Sequence, residues 1–100
     1  MPDAYVLTPK AKRDLDLIWQ YIAEDSFDAA NHVEAMIYKA LDLLSGMPEA
    51  GHRRRDLTDR PVRFWPANPY RNYLVVYDAE VRPVRIIRVI HAALNARPLL

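Results

Sequence analysis

One hundred residues, 51% of them apolar and with a formal net charge of +1, make a chain sized for one hydrophobic core. The absence of cysteine rules out a disulfide framework or a thiolate metal site. No apolar run reaches the roughly 18 residues that suggest a membrane span, and no apolar signal-peptide core opens the chain. We therefore expect a single domain over residues 1–100, with no membrane partner, in a reducing cytoplasm.

Residues 3 to 7 read as a short strand. Thr8 then offers a hydroxyl as N-cap, and Pro9 suits the first helical position, where its missing N–H costs nothing. Ala11, Leu15, Ile18 and Ile22 recur at helical spacing, with Trp19 widening the stripe, which predicts an amphipathic helix to Ala23 or Glu24. Asp25-Ser26-Phe27-Asp28 breaks that pattern, and either Ser26 or Asp28 can cap a second helix. Its apolar face is Ala30, Val33, Ile37, Ala40, Leu41 and Leu44; Gly46 and Pro48 end it. So short a connection predicts an antiparallel hairpin of helices.

From Gly46 to Arg60 the chain is polar and reads as irregular, with the run His52-Arg53-Arg54-Arg55 inside it. Val62 to Trp65 suits a further strand. Tyr70 to Tyr77 and Val84 to Ile90, rich in β-branched and aromatic residues, flank the break Asp78 to Pro83 and predict a strand pair with a loop between. The expected architecture is α+β. An N-terminal strand and an antiparallel two-helix hairpin pack on a mainly antiparallel sheet with three C-terminal strands. One sheet face covers the helices, and the other is the natural place for function.

Charge is divided unevenly. Residues 1–50 hold four Lys/Arg against nine Asp/Glu, and residues 51–100 hold ten Arg against four Asp/Glu. Every basic residue of the second half is arginine, the side chain suited to planar, bidentate contact with phosphate or carboxylate. Arg71, Arg85 and Arg88 fall in the strand pair, and His91 stands where the last strand runs out. A histidine there can serve as a general acid or base in RNA cleavage, with Arg71 and Arg88 stabilising a phosphate transition state. The simpler alternatives are a histidine that ties down a strand end and arginines that pair with acidic side chains of this protein or of a partner. Strand alternation puts Tyr73 and Tyr77 on one face with Arg71, and sheet packing is the simpler role for them. His32, His52 and His91 form no metal-ligand pattern, and the two glycines, Gly46 and Gly51, form no phosphate loop, so neither metal nor cofactor is expected.

Thr8-Pro9-x-Ala11 leading into Asp14-Leu15-x-x-Ile18-Trp19-x-Tyr21-Ile22-Ala23 resembles the first helix of the RelE/ParE family of bacterial type II toxins. Pro48-Glu49-Ala50-Gly51, Tyr70-Arg71-x-Tyr73-x-x-x-Tyr77 and Ile87-Arg88-Val89-Ile90-His91 resemble later segments of the same family. The resemblance covers essentially the whole chain. It implies a small α+β toxin held in a hetero-oligomer by an antitoxin encoded beside it, with operator DNA reached only through that antitoxin. The long hairpin and the Trp19-x-Tyr21-Ile22-Ala23 run are similar to the ParE branch, whose members inhibit DNA gyrase and block replication. Arg71 and His91 match part of the RelE branch, whose members cleave mRNA in the ribosomal A site. The ParE-type continuation His-Gly-Ala-Arg is replaced here by His91-Ala92-Ala93-Leu94. The resemblance thus implies a non-catalytic gyrase inhibitor, with a RelE-like ribonuclease or a weakly toxic antitoxin-binding corepressor as alternatives. Residues expected to meet a target or partner are Arg53, Arg54, Arg55, Arg71, Arg88, His91 and Arg97; a nuclease would use Arg71, Arg88 and His91.

Overall fold

Where the chain leaves its first strand, β1 (Tyr5–Leu7), the Thr8 hydroxyl accepts the Ala11 N–H at 3.1 Å and Pro9 opens α1 (Pro9–Ala23). A computed structural model describes residues 5–67 and 72–92. Ser26, rather than Asp28, caps α2 (Phe27–Gly46): its hydroxyl accepts the Ala29 N–H at 3.1 Å. Asp28 lies in the first turn, where its charge complements the helix dipole. Ala11 and Leu15 of α1 and Ile37, Ala40, Leu41 and Leu44 of α2 are buried in one core. The predicted apolar stripes are the faces that pack.

Four further strands follow: β2 (His52–Arg53), β3 (Arg63–Pro66), β4 (Tyr73–Asp78) and β5 (Val84–His91). They form one five-stranded sheet in the order β1-β5-β4-β3-β2. Three pairings are antiparallel, and β1 runs parallel to β5, with Val6 opposite Arg85. A parallel pair needs a long connection, and here it runs through the helical hairpin and then β2, β3 and β4. This is the α+β architecture expected, with two corrections. The segment after α2 is not wholly irregular, because its His52 and Arg53 pair with Phe64 and Arg63 of β3. Nor is the sheet face away from the helices open as expected. Leu57 and Val62 fold back from the 54–62 segment onto Phe64, Leu74, Val76, Ile87 and Ile90 and form a second, smaller core there.

Alternation along β4 sends Tyr73, Val75 and Tyr77 to the helix side and Leu74 and Val76 to the other. In β5 the alternation is interrupted. Val76 pairs with Arg88 but Tyr77 with Ile86, so Ile87 is an extra residue, a β-bulge. Past the bulge Val89 takes the core position and Arg88 is turned toward α1. Beyond the end of β1, α1 and its cap cover that edge of β5: the Thr8 hydroxyl donates to the Ile87 carbonyl at 2.8 Å, and the Val89 N–H donates to Asp14 at 3.0 Å. Backbone groups that a longer β1 would have satisfied are met by two side chains of the helix start.

Candidate functional site

The end of β5 carries the histidine singled out by the sequence. His91 is half-buried and meets Tyr73 edge-to-face, with ring centroids 5.2 Å apart. Burial pushes the Tyr73 phenol up from its ordinary pKa, and the nearby phenol of Tyr21 pushes the same way. Tyr21 reaches this corner from α1 and is 72% exposed, with Leu17 half-exposed one turn before it. Tyr21 and Leu17 were not among the expected site residues. Their signal in the sequence is two large apolar side chains set off the buried stripe of α1.

Arg88 takes the second of the roles open to it. Its guanidinium donates to both carboxylate oxygens of Asp14, at 2.7 and 2.9 Å, and the two side chains are only 15% and 12% exposed. The hydrogen bonds to Asp14 raise the Arg88 pKa against the opposing effect of burial. A guanidinium already matched to a carboxylate in this way has its charge balanced inside the molecule. It is poorly placed to stabilise a phosphate transition state. Arg71 and Arg97, the other arginines expected on this surface, lie outside the described residues.

The remaining expected residues sit at the opposite edge of the sheet. His52, Arg53, Arg54 and Arg55 are all exposed. Arg54 forms a bidentate pair with Asp56 at 3.0 and 2.8 Å. The base of this segment is held by two side chains. The buried Tyr77 hydroxyl donates to the Pro48 carbonyl at 2.7 Å and accepts the Gly51 N–H at 2.8 Å. Arg63 donates to the Glu49 and Gly51 carbonyls at 3.3 and 2.7 Å. The structure therefore separates the expected set: His91 and Arg88 belong to one end of β5, and the arginine run belongs to β2 and the loop after it.

Tyr77 also makes stability depend on alkaline pH. Burial raises its pKa, while the Gly51 N–H and the Arg63 charge pull it down less strongly. Because the folded value lies above the unfolded one, the native state holds more protons once pH passes about 10, and stability falls as pH rises further. Urea midpoints at about pH 8 and about pH 10.5 should differ in that direction, and Tyr77→Phe should narrow the difference. Tyr38 and Tyr73, whose phenols are raised in the same direction, contribute in the same sense.

Among the described residues no group of three His, Asp or Glu could hold a metal ion, and no helix is long and apolar enough to cross a membrane. No curated protein matches the chain. Of solved structures, one from the chromosomal ParDE TA system of P. aeruginosa shares the fold. Its TM-score is 0.70 over 87% of this chain and 92% of that one, at 20% identity. The family model described as the ParE toxin of the type II toxin–antitoxin system, parDE, matches residues 5–95, nearly the full length, and the chain belongs to that family.

Proposed function

We propose that the protein is a toxin that arrests growth by binding DNA gyrase without chemistry of its own, and that an antitoxin encoded beside it holds it inactive in a hetero-oligomer. The observation that carries the non-catalytic part is the Asp14–Arg88 pair. It takes from the ribonuclease set the arginine that would have faced a phosphate. What is left at that corner is a contact surface, with Tyr21 and Leu17 exposed beside the half-buried His91. An amphipathic partner segment that folds on contact suits such a surface. DNA gyrase as target follows the ParE character of the chain.

The test is a supercoiling assay with purified gyrase, paired with pulse labelling of cells that express the toxin alone. DNA synthesis should fall before protein synthesis. Translation stopping first, with mRNA cut within codons, would give the protein to the ribonuclease class instead. An inert protein that still binds the antitoxin would make it a corepressor. His91→Ala refines the result. In a binding inhibitor its potency should fall in step with affinity, by about 1–2 kcal/mol or less. A general acid or base would instead lose about 10²–10⁴-fold in rate with affinity intact.

A further inference from the structure

The second-half arginines differ sharply in what they touch. Arg54 is matched by Asp56, Arg88 by Asp14, Arg63 by the Glu49 and Gly51 carbonyls, and Arg82 by the Ala79 and Val81 carbonyls. Arg53 and Arg55 are exposed, and their side chains make no hydrogen bond or ion pair among the described residues. The register adds to their charge. Arg53 is the cross-strand partner of Arg63. Like charges directly opposite on a sheet repel unless something anionic lies over them. Of the carboxylates in this stretch, Asp56 is engaged by Arg54, and Glu49 and Asp59 are exposed.

The segment is also held ready. The Tyr77 and Arg63 bonds fix the backbone just before His52, which lowers the backbone ordering that binding would require. Its chemistry favours one class of partner. A protein interface needs apolar or aromatic anchors at its centre. Here Leu57, Val62 and Phe64 are turned into the second core, and of the large apolar side chains nearby Met47, just after α2, stays exposed. Most of what faces outward is basic, His52, Arg53, Arg54, Arg55 and Arg60 against Glu49, Asp56 and Asp59, and arginine is a side chain that contacts a phosphate backbone.

We propose that this edge grips nucleic acid directly, with Arg53 and Arg55 each on a backbone phosphate and no reading of base sequence. The contact is the toxin's own, in addition to any operator contact made by an antitoxin, and it does not depend on gyrase being the target.

The test is fluorescence anisotropy of the full chain with a labelled random-sequence duplex of about 20 base pairs, titrated between about 50 mM and 200 mM salt. Each neutralised phosphate steepens the plot of log affinity against log salt by about 0.9. Arg53→Ala/Arg55→Ala should therefore flatten the slope by about 1.8, removing about a twelvefold loss of affinity across that salt range. Each single substitution should account for about half of the change in slope, and Arg53→Lys/Arg55→Lys should keep the wild-type slope. Unchanged thermal melting would show that the fold is retained. Three results would overturn the proposal: no duplex binding by the wild type at the lowest salt, an alanine variant with the wild-type slope, or displacement of the duplex by polyglutamate as readily as by polyphosphate. The last would assign the edge to an acidic protein.

Discussion

Asp14→Ala should unfold the protein more readily than any other single polar substitution among the described residues. One carboxylate accepts two hydrogen bonds from Arg88, at 2.7 and 2.9 Å, and one from the Val89 N–H at 3.0 Å. Truncating it removes two bonds from a guanidinium that is only 15% exposed and takes away the acceptor of the Val89 N–H. Removing one partner of a buried pair costs about 3–5 kcal/mol, and the residual exposure of this pair sets the expectation near the lower figure. A domain of this size has about 5–15 kcal/mol in total, and each kcal/mol moves Tm by roughly 4–8 °C. A drop of more than about 10 °C should follow. Arg88→Ala should cost less, because Asp14 keeps its bond to Val89 and gains access to water. Arg88→Met, which replaces the charge by apolar volume, should cost least when combined with Asp14→Leu. Denaturant titrations of Asp14→Ala, Arg88→Ala and the Asp14→Ala/Arg88→Ala double complete the cycle. A coupling below about 0.5 kcal/mol would mean that the pair does not hold α1 to β5.

The same pair shows where sequence reading stops. Both helices were legible because their signals are local: a capping hydroxyl, a proline at the first position of α1, and apolar residues every three or four. The β4–β5 pair was legible for a similar reason, with β-branched runs on either side of a polar loop. Asp14 and Arg88 lie 74 residues apart, and nothing near either one says that they meet. The bulge was hidden because Ile86-Ile87-Arg88-Val89-Ile90 offers apolar residues on both sides of the arginine, so either alternation fits. The strand β2 carries no strand signal in His52-Arg53. It pairs only because β3 presents a free edge and Tyr77 brings the chain beside it. Leu57 and Val62, lone apolar residues in a polar stretch, were the available hint that the outer face is covered.

The arginine bias of the second half was equally plain in the sequence, but not its division of labour. Composition counts charges, whereas function depends on which charges are already answered. Arg88 is answered by a carboxylate and Arg63 by carbonyls, while Arg53 and Arg55 stay on the surface. Three acids, Glu49, Asp56 and Asp59, lie in the same stretch, yet only the Arg54 side chain of the run is matched, to Asp56. The sequence shows the run but not which of its members is paired.

Gly51→Ala should be nearly as damaging as the loss of Asp14, and Gly46→Ala should have the opposite sign. A Cβ on Gly51 would lie 2.5 Å from the Tyr77 hydroxyl and 2.8 Å from the Phe64 carbonyl oxygen. Neither neighbour can give way cheaply. Phe64 is held by pairing on both sides of β3, and the Tyr77 hydroxyl is fixed between the Pro48 carbonyl and the Gly51 N–H. Overpacking typically costs about 1–3 kcal/mol, and a buried hydroxyl pushed off its partners adds about 1–3 kcal/mol, so about 3 kcal/mol is expected in total. Gly46, the last residue of α2, has nothing within 4 Å of the same position and no left-handed backbone angle. Alanine there should stabilise by about 0.4–1 kcal/mol through the unfolded chain. Thermal melts of the two variants side by side should move in opposite directions. A Gly51→Ala protein that melts with the wild type would show that the loop shifts freely. The clamp on the arginine edge would then be no clamp. If it melts early but is still folded at low temperature, its duplex binding should weaken as well, because the backbone that presents Arg53 would no longer be held in place.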